Sequence, residues 1–188
     1  MAVQDAVDMT GLQGLTPGIW AIDPSHSSVE FTARHLMVSK VRGRFERFEG
    51  TITIDEEPLA SHVEATVDLA SVDSRDPKRD EHLRSADFFD VESFPTLQFV
   101  STGVRPDRND YILTGDLTVH GVTRPVELKL EFNGVSGDPW GGQRAGFTAS
   151  TELSRKDYGL EWNVALETGG VLVGDKVKID IEIEAIRQ

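Results

Sequence analysis

The chain has 188 residues, enough to bury a sizeable core in one domain of ordinary size and short for two independent ones. Its 32 acidic and 19 basic residues leave a formal charge of −13, which as a whole repels nucleic-acid phosphates and anionic head groups, so no nucleic-acid partner is expected. With no cysteine, disulfides, thiolate zinc sites and cysteine nucleophiles are removed together.

Residues 1–17 read as an extension in which Gly11, Gly14 and Pro17 break any long pattern, although Thr10 to Leu15 fits a short helical turn. The opening MAVQDAVDMTGLQGLTPG has neither a basic n-region nor an apolar run of signal-peptide length, and no segment reaches the roughly 20 apolar residues of a spanning helix. A cytoplasmic protein without stable membrane insertion is expected. Residues 18–188 then form the one folded domain.

The first block of interest is DPSHSSVEFTARH. Asp23, Ser25 and His26 are the residue types of a nucleophilic triad, but three side chains within four positions of a turn are expected to point apart, and no GxSxG elbow is present. Their expected role is to cap the turn through Asp23 and Ser25. Period-two alternation begins just after: Val29, Phe31, Ala33 and His35 share one face, Glu30, Thr32 and Arg34 the other. In GRFERFEGTITID, Phe45 and Phe48 differ in parity while Phe48, Gly50, Ile52 and Ile54 agree, which predicts a bulge near Arg47.

The pattern continues with Val63, Ala65, Val67 and Leu69, and then with Leu97, Phe99 and Ser101. Leu113 and Leu117 follow, then Val126, Leu128, Leu130 and Phe132, then Phe147, Ala149, Thr151 and Leu153, and last Val177, Ile179, Ile181 and Ile183. Between Leu69 and Leu97 lies SVDSRDPKRDEHLRSADFFDVESFPT. There Asp76 is a good N-cap and Pro77 suits a first helical position, so a short helix over Lys78 to Ser85 is expected within an insertion around residues 76–90. Phe88, Phe89 and Phe94 can either cover one end of a sheet structure with their rings inward or anchor the long loop. The glycines around Trp140 lie between two strands, so they read as a hairpin loop and not as a phosphate cradle.

About eight antiparallel strands with polar outer faces and one apolar inner set predict an all-β fold, with the sheet closed on itself as an eight-stranded barrel. Closure satisfies the edge strands, although a two-sheet sandwich would show the same alternation. A lumen of that size is either filled by side chains or holds one small ligand. The positions expected to contact such a ligand are Phe31, His35, Phe45, Phe48, Val67, Phe99, Leu113, Leu117, Leu130, Phe132, Phe147 and Ile181. His35, polar on an apolar face, is either a core histidine with a hydrogen-bond partner or a contact to a polar head group. Five histidines on separate segments show no metal-ligand spacing, so no metal, catalytic residue or cofactor is assigned.

Taken together, WAIDPSHSSVEFTARH, VRGRFERFEGTI, SVDSRDPKRDEHLRSADFFDVESFPT, LTGDLTVHGVTRPVEL and SRKDYG resemble the YceI family of polyisoprenoid-binding proteins, from about Trp20 to Ile186. Gly18 and Trp20 are also similar to the lipocalin GxW. The resemblance implies a lipocalin-like barrel whose cavity takes an amphipathic isoprenoid lipid, such as a polyprenyl quinone, without catalysis. Many members of the family are periplasmic. Its motif positions here include His26, Arg79, Asp80, His82, Phe88, Phe89, Pro95, His120, Gly121, Arg155, Asp157 and Gly159. An enzyme acting on an apolar substrate in the same cavity, with His35 or His120 as acid or base, is the alternative, and a homodimer is compatible with either.

Overall fold

The computed structural model describes residues 12–188. Most of the predicted extension therefore lies outside the described residues, as does the start of the turn expected from Thr10; the part from Leu12 does turn, with the Leu15 amide donating to the Leu12 carbonyl.

Three strands of the sheet are each broken once. β1 (Gly18–Ile22) and β2 (Ser28–His35) are halves of one strand, interrupted by a 3-10 turn at Pro24–His26. β3 (Ser39–Phe45) and β4 (Phe48–Ile54) are halves of the next, and β5 (His62–Asp68) and β6 (Val72–Asp73) of the third. The halves pair in matching order, β1 with β4, β2 with β3, β4 with β5 and β3 with β6. An up-and-down series follows: β7 (Thr96–Asp107), β8 (Asp110–Val119), β9 (Val122–Gly137), β10 (Gln143–Ser154) and β11 (Val173–Arg187). β11 also pairs with β2 along its first part and with β1 at its end, from Ile22↔Ala185 to Trp20↔Arg187. That last pairing closes an eight-stranded antiparallel barrel, as the alternation predicted, and leaves no free edge between first and last strands.

The breaks explain the parity changes in the sequence. Glu46 and Arg47 leave the ladder, and their amides donate to the Ser71 carbonyl and to Ser71 Oγ, which returns both Phe45 and Phe48 to the interior. Extra residues at Thr102 in β7 and Asn133 in β9 do the same for Val104 after Ser101 and for Val135 after Phe132.

The insertion between β6 and β7 carries α1 (Pro77–Arg84), capped by the Asp76 carboxylate, which accepts from the amides of Lys78 and Arg79. Buried Asp80 accepts from the amide and hydroxyl of Ser74, and Arg84 Nε donates to the Ala70 carbonyl. These bonds hold a short polar helix across one end of the barrel. Among the described residues no helix is long and apolar enough to cross a membrane.

The interior is not one continuous core. Three apolar clusters form, around Trp20 and Phe147, around Phe31 and Phe48, and around Leu117 and Tyr158. They stand on different parts of the wall and surround a void.

Candidate functional site: the apolar cavity

Space in the barrel comes from which side chains the strands send inward and how those side chains lie. Phe31 faces Gly43 across the β2–β3 ladder, and a Cβ on Gly43 would come within 2.3 Å of the ring. Gly115 accommodates Phe99 on β8 in the same way, at 2.4 Å. Both rings therefore lie over a glycine of a neighbouring strand, which leaves room along the axis of the barrel. The result is a cavity of about 330 Å³, at the lower end of the range for small-molecule sites.

Its wall is almost wholly hydrocarbon. One end is closed by Leu12, Leu15, Pro58 and Leu59, the other by Leu83, Phe88 and Phe89 of the insertion with Tyr158 and Leu160. The charged residues on the lining are Glu30, Glu49 and Arg155. Glu30 and Glu49 flank the stretch where no ladder pair joins residues 22–29 to residues 45–50, because β1–β4 pairing stops at Ala21↔Thr51 and β2–β3 pairing at Glu30↔Arg44.

Eleven of the twelve positions expected on a ligand site line this cavity: Phe31, Phe45, Phe48, Val67, Phe99, Leu113, Leu117, Leu130, Phe132, Phe147 and Ile181. His35 does not. The last lining residue of β2 is Ala33; beyond it β2 and β11 bulge apart between Val177 and Val173, and half-buried His35 sits on the rim, paired with Val173 and Ser39. His120 is also absent from the lining. Its Nδ1 donates to the Tyr158 carbonyl at 3.2 Å and its ring packs on Phe94, 4.8 Å between centroids.

The three phenylalanines of the insertion divide accordingly, Phe88 and Phe89 lining the cavity and Phe94 buttressing His120 outside it. Sequence reasoning missed the closing residues Leu12, Leu15, Pro58 and Leu59, whose only signal was an apolar residue in a connection.

On the outer surface the structure corrects one expectation. The side chains of Asp23, Ser25 and His26 converge instead of pointing apart: Ser25 Oγ donates to Asp23 Oδ1 at 2.6 Å, and His26 Nδ1 lies 2.8 Å from Asp23 Oδ2 and 3.0 Å from Ser25 Oγ. The physical reason is the 3-10 turn itself, which Asp23 caps by accepting from the Ser25 amide and which brings Ser25 and His26 back to its carboxylate; Arg144 of β10, whose Nη1 sits 2.9 Å from Asp23 Oδ2 and 2.5 Å from Glu184 Oε1, adds a cation on the same side. This is not a relay. Ser25 and Asp23 meet the same imidazole nitrogen, whereas a triad places them on opposite ones. Asp23, His26 and Glu184 also lie close enough to share a cation, and the Arg144 guanidinium already stands between the two carboxylates.

Hydrogen bonds from Ser25 and then His26, with Arg144 beside them, hold the Asp23 carboxyl well below the usual carboxylate range, against the opposing effect of burial. A carboxylate depressed by folding adds stability that is complete above about pH 4 and is lost as pH falls through its folded value. Asp23→Asn should therefore destabilise the protein at pH 7 and progressively less toward pH 2. Urea unfolding of both proteins across that range checks this, and a pH-independent difference would assign Asp23 a role in shape alone.

Comparison with known proteins gives one family, the YceI-like domain, matching residues 20–185. Escherichia coli protein YceI is 41% identical over 164 residues, covering 87% of this chain and 83% of the relative. Among solved structures, the Campylobacter jejuni YCEI protein superposes with a TM-score of 0.70 at 27% identity, over 82% of this chain and 90% of that one. A polyisoprenoid binding domain from Saccharophagus degradans shares the fold with a TM-score of 0.69 at 17% identity, over 92% of this chain and all of its own length.

Proposed function

Since the chain belongs to the YceI-like family, we propose that it is a non-catalytic carrier or store for an amphipathic isoprenoid lipid of polyprenyl-quinone type. The observation that carries this reading is the cavity itself: a hydrocarbon-lined space in a closed barrel, in which the inward rings of Phe31 and Phe99 lie over glycines of a neighbouring strand. Burial of one five-carbon isoprene unit is worth roughly 4 kcal/mol gross at about 0.8 kcal/mol per methylene-sized group. Three or four units then reach about micromolar affinity, near −8 kcal/mol, after the costs of association.

The polar end of the lipid belongs at the break in the wall, where Glu30 and Glu49 border the cavity. Carriage without chemistry is favoured because the two histidines considered as acid or base, His35 and His120, stand outside the lining, and general acid–base catalysis needs reach to the substrate. A polyisoprenoid-binding relative of the same fold adds support at the level of architecture.

Organic extraction of the purified protein followed by mass spectrometry tests the reading, with a prenyl-chain lipid as the expected extract. Leu130→Trp projects an indole into the cavity. It should lower lipid content about tenfold while sparing the melting temperature, because added bulk costs about 1–3 kcal/mol only where a core is already full. A consistently lipid-free wild type, or a Leu130→Trp variant that loses several kcal/mol of stability, would overturn the proposal.

A further inference from the structure

Seven large apolar side chains are exposed among the described residues, and four of them occupy one place. Leu36, Met37 and Val38 form the β2–β3 hairpin and are 40%, 52% and 82% exposed; Val164, 45% exposed, lies beside them. The link is a backbone ladder in which the Leu36 amide donates to the Leu172 carbonyl and the Leu172 amide to the Val164 carbonyl.

The hairpin has an unusual backbone for its residues. Val38 N–H closes on the His35 carbonyl, and both central residues are left-handed, with φ of 51° at Leu36 and 62° at Met37. A two-residue turn of this kind suits Asn-Gly, which would be both unstrained and polar. Here two bulky apolar residues occupy it and are projected outward from the barrel.

Charge is distributed to match. In a chain of −13, residues 31–45 contain Arg34, Lys40, Arg42 and Arg44 and no acidic residue. Arg44 is committed to Glu46 and Asp73, whereas Arg34, Lys40 and Arg42 make no ion pair with a described residue. The neighbouring 160–173 connection adds only Glu161 and Glu167. Repulsion by the acidic remainder is screened beyond about 8 Å at physiological ionic strength, so the charges at the contact govern docking once the surfaces meet.

We infer that this hairpin is a membrane-docking element that seats the barrel on an anionic phospholipid surface. Its apolar tip enters the head-group boundary while Arg34, Lys40 and Arg42 neutralise lipid phosphates. The position suits transfer, because His35 pairs with Val173, and Val173 and Ala33 are already cavity wall. Only this suggested purpose rests on the carrier reading; the docking itself rests on the hairpin.

Flotation of the full chain with vesicles of equal phosphatidylglycerol and phosphatidylcholine, against phosphatidylcholine alone, tests it. The wild type should float with the anionic vesicles and dissociate at about 1 M salt, where screening falls to about 3 Å. Leu36→Asn, Met37→Gly and Val38→Thr together install the unstrained polar turn, so native circular dichroism should be kept while partitioning falls at least about tenfold. Lys40→Gln with Arg42→Gln should weaken partitioning and flatten its salt dependence. A wild type indifferent to phosphatidylglycerol, or a polar-turn variant that floats as well as the wild type, overturns the inference. So does a wild-type dimer in light scattering that the polar turn abolishes without any vesicle binding, which would give the face to a second copy. Lipid extraction from the same proteins separates the two readings: flotation by a wild type that carries no lipid would leave docking intact and remove the carrier.

Discussion

Deletion of Lys178–Gln188 is expected to leave no soluble folded protein. The segment supplies every pair that β11 makes with β1, most of its ladder with β10 and much of its ladder with β2. It also removes Ile179, Ile181 and Ile183 from the cavity wall and fully buried Ala185 from the cluster around Trp20. The remaining chain would expose two unpaired edges, on β10 and on the β1–β2 strand, each a template for pairing with another molecule. Stability of an ordinary domain is about 5–15 kcal/mol, and burial of each large apolar side chain contributes about 1.5–3, so the lost isoleucines alone approach the total. Soluble yield and far-ultraviolet circular dichroism of the truncate report the outcome; a native spectrum would show that the barrel does not depend on its closing strand.

How much of this was legible in the sequence depended on whether the determining contact was local. From Val126 to Phe132 and from Val177 to Ile183, the alternation was clear because every outward position carries a charge and all but half-buried Asp180 are exposed to water. The broken strands left a weaker trace, a change of parity between Phe45 and Phe48, which was enough to place the irregularity at Arg47. Asp76 and Pro77 marked the start of α1 for the same local reason.

Where a partner came from far along the chain, the sequence misled. Asp23 shares Arg144, on a different hairpin, with Glu184, and nothing within the turn signals that cation; the convergence of Ser25 and His26 on Asp23 is local to the turn, where divergent side chains were expected. His35 continued the inward parity of Phe31 and Ala33, yet the cavity ends before it because β11 bulges away, a property of the opposite strand. Leu12, Leu15, Pro58 and Leu59 at one end were similarly silent, since closure is set by how connections fold back over the barrel, whereas at the other end the rings of Phe88 and Phe89 were visible in the insertion.

Arg155→Met is expected to cost about 3–5 kcal/mol and to lower the melting temperature by roughly 10 °C, at the 2–4 °C per kcal/mol usual for chains of this size. Arg155 follows β10 in the turn Arg155–Tyr158 and is buried, with its guanidinium inside the connection that leads back to β11. Nε donates to the Gly174 carbonyl, Nη1 to the carbonyls of Leu160 and Trp162, and Nη2 to that of Val173. Burial draws its pKa below the ordinary arginine range, opposed by the charge of Asp175, and a guanidinium keeps its proton inside proteins. One planar cation thus binds four carbonyls; Val173 keeps the Asn163 amide as a donor, and a methionine takes the arginine donor from the other three, at about 1–3 kcal/mol for each that water fails to reach. Lysine would keep the charge without the fork, so Arg155→Lys should recover only part of the loss. Because Arg155, Tyr158 and Leu160 also line the cavity, Arg155→Met should loosen that end and speed proteolysis within residues 160–173 and, on the proposed carrier function, loss of the lipid. Urea unfolding with limited proteolysis measures both effects. Asn163 would still tie the connection to Val173 through its side-chain amide, so unchanged proteolysis alongside a lowered melting temperature would mean that Asn163 and not Arg155 holds the connection shut.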